Sequence, residues 1–477
     1  MNRRTVAAYA LGPVGSAALG LLTLPLLSWY FPAQDIGRTA LLQTAVSLLL
    51  IVAGMGADQA YIREFHAAPD RNLLLKNVLL PPLAALTFIL LLWAALPFSA
   101  AQLLFGSRNP AWELWIALYA AAWLFTRYLS LILRLHERAL AFSAAQVWPK
   151  LCLLLSAPAA VAAGAPADTG TLAAAFALSQ SAAVLLLAWQ TRIQLAAALR
   201  APFSRTLLGS LLHYGLPLAL AALAYWGLGS ADKWLLKQYA APDILGVYAL
   251  AAGFAAAAVL VQSIFSTIWA PTLFRWVHEQ RDLAPVARIF RLLTGAAAAV
   301  WCLSALAAPL TRLFLPTDYA AVPFLLPLVM LPPLIYTLTE VGGIGIQVRK
   351  KSRAALWITL ASLCAHLALG RLLIPAFGAA GAALAVSLAF ALFFVLKTEY
   401  ARRIWLPLPR AAAYAAVAAA LLLGSAYAAY GAAYPAAFAL LWTVLSVALA
   451  VSFRRDLAAA LTAGRLKTAT EPPDGKP

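Results

Sequence analysis

The positive charges of this chain are sorted between alternate connections of long apolar segments, and no motif constrains the fold as strongly. About fourteen apolar segments of roughly 18–27 residues follow one another, each long enough to cross a hydrocarbon core ~30 Å thick. With the connections assigned alternately to two sides, 27 of the 35 Lys and Arg residues fall on one side and 6 on the other. The remaining two, Arg127 and Lys150, lie inside apolar segments. A bias of this size follows the positive-inside rule and predicts that both termini are cytoplasmic. Merging any two segments would invert every later connection and put basic clusters outside, so the alternation also sets the even number of spans.

Composition points the same way. A chain of 477 residues that is 64% hydrophobic and only 11% charged is not a soluble one. The net charge of +18 does not indicate nucleic acid, because the basic residues form short clusters between spans. Arg349, Lys350, Lys351 and Arg353 make one such cluster; Lys397, Arg402 and Arg403 make another. Clusters of this kind suit anionic membrane lipids. Cys152, Cys302 and Cys364 are isolated in apolar segments, which supports neither a disulfide framework nor a zinc site. The first apolar segment lacks a persuasive cleavage site and is read as a helix that stays.

Backbone groups in lipid must pair within their own segment, so the expected fold is an all-α polytopic membrane protein. Several spans hold internal proline: Pro13, Pro25, Pro81, Pro82, Pro149, Pro217, Pro327, Pro332 and Pro333. Each removes a backbone hydrogen bond and kinks its helix. So many broken spans favour a moving bundle with a cavity over a rigid anchor.

The two halves resemble each other. FPAQDIGRTALLQTAVSLLL (31–50) matches YAAPDILGVYALAAGFAAAA (239–258), aligning Asp35 with Asp243 and, with one gap, Gly37 with Gly246. RALAFSAAQVWPK (138–150) resembles RAALWITLASLCAH (353–366), and GTLAAAFALSQSAAVLLL (170–187) resembles GAAGAALAVSLAFALFF (378–394). The offset stays near 208–215 residues at all three places. An even repeat of six spans gives two lobes of the same orientation, related by an axis along the membrane normal. The expected division is a first six-helix lobe over 1–205, a second over 206–405, two additional helices over 406–453, and a disordered cytoplasmic tail over 454–477. A substrate site between the lobes follows.

These features resemble the MOP exporter superfamily, in its polysaccharide-transporter branch of lipid-linked oligosaccharide flippases (Wzx-type). The resemblance is carried by the opening Gly-Pro-Val-Gly and Leu-Pro-Leu-Leu of the first span, Asp35-Ile-Gly37, the stretch from Asp243 onward, IFSTIWAPTLF (264–274) and GLPLALAALAYWGLGSADKWLL (215–236). It covers essentially the whole chain. It implies a MATE-like V-shaped pair of lobes opening alternately to the two sides of the bacterial inner membrane. The implied cargo is an undecaprenyl-diphosphate-linked oligosaccharide for O-antigen, lipopolysaccharide, capsule or exopolysaccharide synthesis. Also implied are drive from a proton or sodium gradient without a bound cofactor, and polysaccharide polymerase and chain-length machinery as partners.

A lipid tail can stay in the bilayer while its sugar and diphosphate cross, so the protein must supply a wet groove and a cation. Arg127 and Lys150, on neighbouring spans, are the candidates for the diphosphate, because an intramembrane charge needs a cavity or a partner. The ordinary alternative for Arg127 is snorkelling to the basic side. The repeat sets His366 opposite Lys150, as a diphosphate or proton group or simply a packed histidine. Glu340, Asp58 and Asp232 are the candidate ion-coupling acids. Asp232 with Lys233 reads as a local interfacial pair at the end of a span over 210–231, and Asp58 as solvated or paired with Arg63. Tyr225, Trp226, Trp269 and Tyr336 are candidate sugar-stacking rings, with the ordinary interfacial reading the stronger one for Trp269.

Two other exporters of the same superfamily compete, a lipid II flippase and a multidrug or cation antiporter. The antiporter branch ends after twelve spans, which disfavours it. A membrane polymerase or ligase needs a large external loop rich in Arg and His. No outside connection here exceeds roughly fifteen residues, and no nucleophile–His–acid set, phosphate loop or metal spacing is present, so no enzyme is expected.

Overall fold

In the computed structural model, which describes residues 3–470 and the side chains of 11–452, every regular element is helical. The first half comprises α1 (Arg3–Tyr30), α2 (Ala33–Gly54), α3 (Ala57–Glu64), α4 (Arg71–Ala95), α5 (Ala100–Phe105), α6 (Pro110–Leu135), α7 (Ala139–Ala162) and α8 (Thr169–Arg200). The second comprises α9 (Arg205–Tyr239), α10 (Pro242–Phe254), α11 (Ala256–His278), α12 (Ala284–Ala307), α13 (Val322–Val329), α14 (Leu331–Gly342), α15 (Gly345–Val348) and α16 (Ser352–Ile404). Last come α17 (Ala411–Tyr430) and α18 (Pro435–Thr470).

Thirteen helices among the described residues are long and apolar enough to cross a membrane. The 53-residue α16 is non-helical at Gly378 (φ 54°, ψ −125°), which folds it into two crossings and restores the fourteen spans expected. Only glycine adopts that conformation without strain. Helix starts follow from local chemistry. Asp70, Asn109, Asp168 and Ser204 accept hydrogen bonds from first-turn amides of α4, α6, α8 and α9. Pro332 and Pro333 occupy the first turn of α14, so the expected kink is a break between α13 and α14.

Two boundaries differ from the sequence reading. α9 runs to Tyr239, two turns past the expected end at 231, so Asp232 and Lys233 lie inside it. α18 is helical to Thr470 where a disordered tail was expected; the Ala- and Leu-rich run after Arg455 has high helix propensity. Residues 471–477 of that tail lie outside the described residues.

In the first half α7 packs tightly on α1 and α8 on α6; in the second, α16 packs on α9 and α14. The α1–α7 crossing is close because α1 presents glycine: a Cβ at Gly12 would stand 2.8 Å from Ser143 Cα. α17 and α18 rest on α12 and α13, where Trp442 is fully buried edge-on to Trp301.

The halves meet at two glycine crossings. At the charge-poor end, α2 packs on α10, and a Cβ on Gly37 would lie 2.7 Å from Gly246 N. A Cβ on Gly246 would overlap the Ala33 carbonyl. The two glycines that the repeat aligns therefore face each other. Asp35 braces this end by accepting hydrogen bonds from Thr169 Oγ1 and, at 3.3 Å, from Arg38. At the basic end Gly56 (φ 70°) sits against Gly215, whose own Cβ would meet Met55 O at 2.6 Å. Between the crossings the helices part and leave space.

Candidate functional site

That space is two adjoining cavities. The first, about 900 Å³, lies between the halves and is walled by α2, α6, α9, α10, α11, α14 and α16. The second, about 650 Å³, lies mostly within the first half, among α1, α2, α6, α7 and α8. Ser47, Trp123, Lys233 and Ala252 line both and mark the junction.

Helical spacing brings the cleft residues to one wall. Tyr225, Trp226, Gly229, Asp232 and Lys233 recur every three or four residues on α9 and face the cleft together. Trp226 Nε1 donates to Ser47 Oγ at 2.8 Å, linking α9 to α2 across the gap. Tyr225 lies 5.4 Å from Tyr336, centroid to centroid, and Tyr336 stacks on Phe393 at 6.4 Å with ring planes 9° apart. Three of the four rings named as sugar-stacking candidates, Tyr225, Trp226 and Tyr336, thus line one cavity, and Trp269 does not.

The candidate cations separate. Arg127 lines the inter-half cleft and donates to Asp58 at 2.5 Å. Asp58 thereby pairs with a residue of α6, and Arg63 turns instead to Glu64 at 3.3 Å. Gln59 holds the second bond to Asp58 Oδ2 at 3.1 Å. With the Arg127 side chain half exposed, this pair contributes about 1 kcal/mol at most. Lys150 lines the other cavity and donates to the Ser16 carbonyl at 2.8 Å. Arg127 and Lys150 therefore do not act on one point.

Lys233 is the residue that reading by composition passed over. It stands at the junction, 3.7 Å from Asp232. Asp232 is 3% exposed and is engaged chiefly by the hydroxyl of Tyr248, which donates to Oδ2. The helix continues beyond the pair to Tyr239, and both residues line the cleft. The available signal was spacing: Lys233 follows Trp226 by seven residues, two turns along the same face.

His366 is fully buried between α9 and α16 and lines neither cavity. Its ring lies beside the Gly227 and Leu228 backbone, with neither nitrogen in hydrogen-bond geometry. Glu340 sits behind the cleft wall, one turn from Tyr336. It accepts from Ser266 Oγ at 2.6 Å, and Trp269 Nε1 donates to its backbone carbonyl at 3.2 Å. Trp269 is buried and stacks on Phe265. Lys397 is close enough to act on the Glu340 charge. Among the described residues no group of three His, Cys, Asp or Glu gathers to hold a metal ion.

The arrangement can hold an elongated amphiphile with a charged middle. Rings and small residues line the cleft, a cation stands at its inner junction, and hydroxyls and amides fill the adjoining pocket. Comparison with known proteins bears on the family and on the fold. A family described as polysaccharide biosynthesis protein matches residues 3–277. The lipid II flippase MurJ, in an inward closed conformation, superposes with a TM-score of 0.68 at 11% identity, covering 94% of this chain and 99% of that one. An inward-facing multidrug resistance MATE family transporter of the MOP superfamily gives 0.63 at 14% identity, covering 81% and 94%. At such identities the likeness is one of fold. No curated protein matches the chain in sequence.

Proposed function

The chain belongs to the polysaccharide biosynthesis protein family, and from that membership we propose that it is a flippase moving an undecaprenyl-diphosphate-linked oligosaccharide across the bacterial inner membrane. The observation that carries the reading is Lys233, a cation inside a membrane helix at the meeting point of two cavities. A diphosphate leaving water needs a counter-charge along its path. Lys233 supplies it at the junction of the two cavities, and Arg127, half exposed and paired with Asp58 at 2.5 Å, supplies it nearer the basic end once the ligand displaces that partner. The glycan follows into the polar pocket while the polyprenyl tail stays in lipid.

The basic end faces the cytoplasm in this reading, which the charge asymmetry supports. The Gly37–Gly246 crossing then closes the outer end, and loading takes place from the cytoplasmic leaflet. Alternating access follows when the Gly37–Gly246 and Gly56–Gly215 crossings part in turn. A gradient ion acts through Glu340, Asp58 or Asp232. The cargo belongs to O-antigen, capsule or exopolysaccharide assembly, with the polymerase as downstream partner.

A second reading, lipid II as cargo, draws on the fold shared with MurJ. Purified chain in proteoliposomes decides between them. Fluorescent undecaprenyl-diphosphate oligosaccharide should cross faster than lipid II, and Lys233→Ala should slow it by about tenfold or more. Faster crossing of lipid II, or an unaffected Lys233→Ala rate, would overturn this assignment.

A further inference from the structure

The pocket inside the first half has a charge composition the flippase reading does not explain. Lys150 reaches it from α7 and spends one of its three ammonium donors on the Ser16 carbonyl, leaving two for a ligand. Room for the ammonium is provided by Gly20, where a Cβ would lie 2.9 Å from Lys150 Nζ. Lys233 is the second cation of the lining. None of the lining residues is Asp or Glu. Asp232 stands 3.7 Å from Lys233, but Lys150 has no acid among the lining residues; a cation so held inside a membrane protein is costly, and the cost is offset when a ligand brings the anion.

The rest of the lining suits sugar. Gln43, Gln146 and Gln180 offer amides, and Thr39, Thr44 and Ser179 offer hydroxyls. Tyr119 holds an aromatic wall together, 5.4 Å from Trp123 and 5.8 Å from Phe176. The volume of about 650 Å³ falls in the range of small-ligand sites. The diphosphate is tethered to a lipid tail outside the bundle and stops at the junction; the glycan is free to reach deeper, to Lys150.

We infer that this pocket is a glycan subsite that selects a sugar bearing a carboxylate, such as a uronic acid, with Lys150 as the group that reads the carboxylate. The inference rests on the flippase reading for its cargo class and deepens it. It divides the work between two lysines: Lys233 takes the diphosphate, and Lys150 takes the acidic sugar.

The test uses the full chain in nanodiscs and two soluble trisaccharides, one ending in glucuronate and its twin with that carboxylate reduced to a primary alcohol. Equilibrium dialysis should show the acidic probe bound about tenfold tighter or more. Lys150→Gln should bring its affinity down to that of the neutral twin, and Lys150→Arg should keep the preference. Equal binding of the twins by the unaltered chain would overturn the inference. So would a preference that survives in Lys150→Gln. Transport of lipid-linked acidic oligosaccharide is measured alongside. Transport without carboxylate preference removes the inference alone; carboxylate preference through Lys150 without transport removes the flippase reading and leaves the binding site standing.

Discussion

Replacing Gly37 by alanine tests whether a glycine crossing seals the charge-poor end. The added Cβ would stand 2.7 Å from Gly246 N and 3.0 Å from Pro242 O, both backbone atoms that cannot rotate away. Restoring ordinary contact requires α2 and α10 to part by roughly 0.7 Å, an overpacking strain of about 1–3 kcal/mol. That strain acts only in the state where the helices touch, so it biases the closed–open equilibrium toward opening by about 5- to 150-fold. The readout is a single thiol at Ala252→Cys, which lines both cavities, with Cys152, Cys302 and Cys364 changed to serine. An impermeant maleimide offered from the charge-poor side should label the Gly37→Ala chain faster by that factor. Gly209→Ala, where a Cβ meets nothing within 4 Å, should leave the labelling rate unchanged. A Gly37→Ala chain that folds and labels at the unaltered rate would refute the claim that this crossing is the seal.

Two further outcomes are expected. Gly378→Ala forces a side chain into φ 54°, ψ −125° at the hairpin between the two crossings of α16, and should cost about 1–3 kcal/mol in a denaturation experiment in detergent; a midpoint that does not move would contradict the strained conformation described. Glu340→Gln should remove the dependence of transport rate on an imposed ion gradient in proteoliposomes. Full gradient dependence in that variant would discard Glu340 as the coupling acid and leave Asp58 and Asp232.

The fold was readable because its main determinants are local: segment length, apolarity and the side on which each basic cluster falls. The site was readable only where a residue broke its local context. Arg127 and Lys150 stood out as cations in apolar runs, yet neither partner was visible, because Asp58 lies 69 positions from Arg127 and Ser16 lies 134 from Lys150. Lys233 was hidden for the opposite reason. Two adjacent charges ended the apolar window, although the helix continues once Tyr248 from α10 satisfies Asp232. His366 shows the limit of repeat symmetry: equivalence set it opposite Lys150, but the contact of α16 with α9 buries that face. Tyr225, Trp226 and Tyr336 were named for their chemistry, and helical spacing then gathered them on one cavity.

The meeting of Gly37 with Gly246 carries a consequence for how the two halves can diverge. Each half presents the same feature to the other, as in a twofold homodimer interface. A side chain gained by one helix at this point finds no hole in its counterpart, since the counterpart is already a glycine with a carbonyl pressed against it. Compensating substitution, the usual route by which duplicated halves drift apart, is closed here. Mutational tolerance should accordingly fall to its minimum at both positions together, however far the remainder of the two halves has separated.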